Sequence, residues 1–272
     1  MKKIVDYVWR IIVAVIILFV LHILICNISP SEALAGFGWI LFSCLLVVLV
    51  MTWIVMASNT YGLRLVWPMV LMFFGIYTFN VHVETILFQL TIPQREVVNM
   101  MLRGLLLSLI FIPVLLILMD KVKQPTALFE SIRARRISVV GSIWKTIVCM
   151  IIYVIIYFIA GALVYPYIKD FYAEMAHMPA MQHIFFMQLL RGLVYILVVI
   201  PIIRIVQINR LATALMIGLL LSILGGVAPL LFPNPYMPAY IRFVHGIEIG
   251  ISNFVFGFII GSLFGMKPPK KF

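Results

Sequence analysis

Acidic side chains are scarce in this chain. Asp and Glu number 9 against 20 Lys and Arg, and charged residues of both signs fill only 11% of its 272 positions. A soluble domain carries about 25% charged residues, so this chain lacks the charge to cover a water-exposed surface. Cysteine is equally sparse: Cys26, Cys44 and Cys149 lie far apart, within or at the ends of apolar runs. That spacing excludes a disulfide framework and a Cys-x-x-Cys metal site, and leaves small buried hydrophobes as the reading. There is no Gly-x-Ser-x-Gly nucleophile turn and no His-Glu-x-x-His zinc motif. No motif points to a cofactor, and no polar segment is long enough for a separate soluble domain.

What the chain has in abundance is apolar surface. Hydrophobic residues make up 65% of it, in runs of roughly 20, the length a helix needs to cross a bilayer core; a membrane barrel would instead show alternating segments of about ten. The expected fold is an all-α integral membrane protein, a single polytopic domain over 1–272. Its eight transmembrane helices fall at about 11–28, 37–57, 65–90, 100–119, 144–167, 183–204, 211–232 and 240–265. Ala33-Leu34-Ala35 has the small-x-small form of a signal-peptidase site, but the apolar run before it is long for a signal-peptide core, so it reads as an uncleaved first span.

Basic residues flank the runs, which makes topology a better explanation of the +11 net charge than nucleic acid. With both termini placed in the cytoplasm and the spans alternating, only Arg95, Arg103, Lys169, Arg191 and Arg242 of the 20 basic residues fall on the outer side. That is the positive-inside pattern of a multi-pass protein in the plasma (inner) membrane. The loop motif Arg133-Ala-Arg-Arg136 reads as a topology anchor, and Pro233 to Pro238 as a stiff connector. His177 and His183, with Asp170 and Glu174, read as a solvated loop. Arg103-Gly104 to Pro113 echoes Arg191-Gly192 to Pro201 at equal spacing, which points to duplication of a two-helix unit, with each proline kinking or locally opening its helix.

Under this topology every His, Glu and Arg well inside the membrane falls in its outer half. Asn80, His82 and Glu84 belong to the third span, Arg103 to the fourth, Arg191 to the sixth, and Arg242, His245, Glu248 and Asn253 to the last. Ionisable groups at such depth are costly and mark a functional site unless they pair with one another. Arg242, His245 and Glu248 are spaced by three and are expected on one helix face. Glu84 and Glu248 need partners, for which Arg103 and Arg191 are available. Glycines at 246, 250, 257, 261 and 265 let the last helix pack closely against a neighbour.

Three readings follow. The first is an outward-facing pocket for a lipid-linked or amphiphilic anionic substrate. His245 and Glu248 would be its catalytic acid–base pair, and Asn80, His82, Glu84, Arg103, Arg191, Arg242 and Asn253 would bind substrate. Membrane lipids are the natural partners at that depth. A metal-dependent variant using His82, Glu84, His245 and Glu248 is weaker, because His82 and Glu84 diverge by about 200° on a helix, and no metal ligand set is assigned. The adjacent glutamates followed by arginine found in CAAX-type intramembrane proteases are also absent. The second reading is a small-solute or proton-coupled ion transporter, and the third a structural membrane subunit without a substrate.

Overall fold

The computed structural model describes residues 2–26, 28, 30–87, 92–123, 139–173, 179–233 and 237–265. The Arg133–Arg136 motif, Glu174 and His177 lie outside these residues, as do positions 234–236 of the proline-rich connector. Eight helices are long and apolar enough to cross a membrane. We label them α1 (Val5–Ile25), α2 (Phe37–Ala57), α3 (Leu63–Ile86), α4 (Gln94–Leu118), α5 (Gly141–Phe171), α6 (Met181–Ile205), α7 (Arg210–Leu231) and α8 (Ala239–Phe264). Helices answer the central demand of a lipid environment, where each backbone N–H and C=O must be satisfied within the segment itself.

The helix of α1 starts at Lys2, well before the apolar run. An Asp6–Arg10 ion pair of 2.9 Å, one turn apart, supports that early start. The helix containing α5 is also longer than its apolar pattern, 35 residues from Val139 to Ala173. The start of α7 is capped by Asn209, whose side-chain oxygen accepts the Ala212 N–H at 2.8 Å.

One end of the bundle gathers the starts of the odd-numbered helices and the ends of the even-numbered ones. Arg10 of α1 donates to the Leu118 carbonyl at the end of α4 and pairs with Asp120. The residues after α2 and α6 meet, with the Asn59 N–H on the Ile205 carbonyl and the Gln207 N–H on that of Ala57. Lys145 of α5 donates to the Leu263 carbonyl of α8, and Arg210 at the head of α7 to that of Ser262. The helices therefore alternate in direction, and this end carries much of the basic charge. The turn into α3 needs Gly62, whose φ of +57° disfavours a side chain, and its N–H bonds the Lys121 carbonyl.

Lys121 is itself buried. Its ammonium donates to the Ser58 carbonyl at 2.7 Å and lies 4.6 Å from the centre of the Tyr61 ring, and burial lowers its pKa. Lys121→Met should lower unfolding stability in detergent by about 2 kcal/mol, the range for a hydrogen bond from a charged donor. An unchanged denaturation midpoint would show that this clasp contributes nothing.

The centre is a continuous apolar core in which Met51, Phe73, Phe111, Leu220 and Phe256 are fully buried. α4 and α6 run unbroken through Pro113 and Pro201. The irregular turns lie instead in α3 and α7, as π-helical segments at Gly75–Phe79 and Ile223–Val227 that touch one another. Such turns inside longer helices recur at functional sites. α8 packs most extensively on α7, through the glycine stripe: a Cβ added at Gly257 would lie 2.5 Å from the Ile217 carbonyl oxygen. α5 is peripheral and packs on α6 and α8.

Candidate functional site

A cavity of about 300 Å³ lies where α3, α5, α6 and α8 come together, in the half of the bundle away from the basic end. Counting back from the end of α8 at 1.5 Å per residue, Asn253 lies about 17 Å and Glu248 about 24 Å from that end. Exposed Tyr165 and Met181 line the cavity at its rim. Its ionisable side chains are Glu84, Arg191, His245 and Glu248, with Asn253 and Ser252 beside them.

Two ion pairs organise these groups. Glu84 Oε1 is 2.9 Å from Arg191 Nη1, joining α3 to α6, with side-chain exposures of 17% and 3%. The same Nη1 donates to Gln188 Oε1 at 3.1 Å, one turn earlier on α6. Asn80 is buried and donates to the Arg191 carbonyl at 3.2 Å, fixing α3 against α6 a turn below Glu84. The second pair lies within α8: His245 Nδ1 and Glu248 Oε2 are 2.7 Å apart, and Glu248 is only 8% exposed. Asn253 donates to the Gly225 carbonyl at 3.1 Å, satisfying the irregular turn of α7. Asn80 Oδ1, Gln188 Nε2 and Arg191 Nε are buried without a hydrogen-bond partner among the described residues. Natural proteins rarely leave such groups unmatched, and do so preferentially at functional sites.

The structure therefore brings Glu84, Arg191, His245, Glu248 and Asn253 to one cavity and keeps Asn80 as a buried brace behind it. Three expected binding residues do not reach it. Arg103, 35% exposed, pairs with Glu96 on its own helix at 3.4 Å. Its helix α4 packs on α1 and α3, but the face of α3 that carries Asn80 and Glu84 is turned to α6, where Glu84 meets Arg191. Arg242 lines a separate groove of about 420 Å³, mostly apolar, with Trp39, Leu230, Phe243 and Gly246. The cause is helical drift: two steps of three residues turn about 120° away, so Arg242 and Glu248 face different neighbours. His82 turns back on α3, its Nδ1 on the Thr78 carbonyl at 2.7 Å, and does not line the cavity. Among the described residues, no group of three or more His, Cys, Asp or Glu side chains converges as a metal site.

The expected residues lie on three walls; the fourth wall was missed. It is α5, which contributes Tyr153, Tyr157, Gly161 and Tyr165, one every fourth residue. A Cβ added at Gly161 would meet nothing within 4 Å, so this glycine faces open space rather than a packed helix. The signal was visible as a period-four tyrosine and glycine stripe in an otherwise aliphatic helix.

Fold and cavity together define a multi-pass helical membrane protein with a polar site embedded in one half of the bundle. Comparison with protein-family models, with curated proteins and with solved structures returns no match.

Proposed function

We propose that the protein lies in the plasma (inner) membrane with both termini cytoplasmic, and holds the polar head of a lipid-linked or amphiphilic substrate in the α3–α5–α6–α8 cavity. His245 and Glu248 are its proton-transfer pair. One observation carries this reading: a hydrogen-bonded imidazole and carboxylate line a cavity of about 300 Å³ beside the Glu84–Arg191 pair, and the rest of its lining is largely aliphatic and aromatic. An amphiphile divides in the same way, with a polar head for the ion pairs and a chain for the apolar walls. The basic-end charge bias supports the orientation, which puts the cavity in the outer half of the membrane at the depth of outer-leaflet head groups.

In the His245–Glu248 pair the carboxylate fixes the imidazole by accepting from Nδ1, which leaves Nε2 to take or give a proton. Glu84 holds Arg191 in place, and Asn253 ties this face of α8 to α7. Toward the basic end, beyond Asn253, the interior is apolar, with Phe73, Val199, Leu220 and Phe256. That layer favours a one-sided site over a transport path, which needs polar groups continuing across the midplane. A substrate-free structural subunit would have no use for the cavity. The Arg103/Arg191 echo adds a proposal of duplication: Gly104 sits against Thr78 of the preceding span, and Gly192 against Tyr153 of the preceding span.

The test is genetic and chemical. In cells lacking the native protein, H245A, E248Q and G161L should each reproduce the lipid and lipoprotein profile of the deletion while accumulating to normal levels. Loss of a general acid–base group lowers turnover by about 10²–10⁴-fold. G161L acts differently, by placing a bulky side chain where an added Cβ meets nothing within 4 Å. Wild-type profiles from all three variants at normal abundance would remove the assignment.

A further inference from the structure

We infer that the head group held in this cavity carries a positive charge, as an ammonium or quaternary ammonium does. This rests on the reading of the cavity as an amphiphile site and names what that amphiphile bears. Charge favours a cationic head. With Arg103 and Arg242 turned elsewhere, the ionisable lining is Glu84, Glu248, Arg191 and His245. Two carboxylates against one guanidinium leave a net −1 with a neutral imidazole and zero with an imidazolium. Neither state offers a free cation to an anionic head. Arg191 is moreover 3% exposed and engaged by Glu84 and Gln188. A bare phosphate or carboxylate would meet Glu248 with no compensating charge of its own.

The α5 wall favours it as well. Tyr153, Tyr157, Phe158 and Tyr165 of α5 line the same cavity as Glu248 of α8. Aromatic faces attract cations through the ring quadrupole, most strongly where water is excluded, and walls of this kind are how proteins hold quaternary ammonium groups. Gly161 opens the space between Tyr157 and Tyr165 where such a head would lie. The carboxylate supplies the counter-charge and the rings supply the contact surface.

The probes are three radiolabelled hexyl amphiphiles, hexyltrimethylammonium, hexyl phosphate and hexyl glucoside, measured by equilibrium dialysis against the full chain in dodecyl maltoside. Hexyltrimethylammonium should bind at least about tenfold more tightly than either other probe, a difference of about 1.4 kcal/mol. G161L should abolish that binding and E248Q should weaken it about tenfold. Should E248Q fail to remain monodisperse, G161L carries the test, since a Cβ at this position meets no other group within 4 Å. Equal or tighter binding of the phosphate or the glucoside overturns the cationic assignment and leaves the amphiphile site standing. If none of the three binds, both fall. Cationic binding that survives G161L places the ligand elsewhere and overturns this inference.

Discussion

Arg191→Leu should lower the unfolding free energy in detergent by about 3–5 kcal/mol, the usual cost of removing one partner of a buried ion pair. The loss comes from what stays behind. Glu84 is 17% exposed in the native structure and its nearest cation is Arg191 at 2.9 Å. Without the guanidinium, that carboxylate must either remain charged in a poorly solvated site or take up a proton, and both cost free energy. Gln188 loses its donor as well. The double variant Glu84→Gln, Arg191→Leu should recover most of the loss, because no buried charge is then unpaired. The check is a thermal or denaturant titration of the two single variants and the double. Additive losses would show that the pair is not coupled, and an unaltered Arg191→Leu protein would show that Glu84 is solvated.

Gly261→Val should be of comparable size, about 3 kcal/mol or more, by a different mechanism. A Cβ at this position would stand 2.5 Å from the Ala214 Cα and 2.9 Å from the Thr213 carbonyl oxygen. Those atoms belong to the α7 backbone, so no side chain can rotate away. The two helices must separate, and α8 carries His245 and Glu248 with it. Gly246→Ala is the matched control on the same helix, because its nearest contact would be a Leu230 side-chain atom at 3.9 Å. It should change stability by no more than about 0.5 kcal/mol. Melting of both variants by intrinsic fluorescence decides the matter. If Gly261→Val melts like Gly246→Ala, the close α7–α8 approach is not what holds these helices.

The helices were legible in the sequence because crossing a membrane is a demand on length and polarity alone. Runs such as 37–57 meet it without reference to any other part of the chain. The partner of Glu84 was not legible. Arg103 and Arg191 open the same Arg-Gly motif on helices that both pack on α3, and only the face of α3 that carries Asn80 and Glu84, turned to α6, separates them. Helix geometry alone would have separated Arg242 from Glu248, since spacing by three drifts with each step. The α5 tyrosines escaped for a further reason. Tyrosine in an apolar helix fits both an interface anchor and a cavity wall, and only the neighbouring helix decides which.

The position of α5 has one more consequence. The helix that contains it is 35 residues long, packs on α6 and α8, and turns its other side outward. Its uncharged stretch between Lys145 and Lys169 spans about 35 Å, somewhat beyond a hydrocarbon core of about 30 Å. Excess helical length is accommodated by tilt, and the tilt adjusts to bilayer thickness. Because Tyr153, Tyr157 and Tyr165 ride on this helix, a change in its tilt would move one wall of the cavity relative to the other three. The fit of any occupant thus becomes a function of acyl-chain length in the surrounding lipid as well as of the residues that line the site.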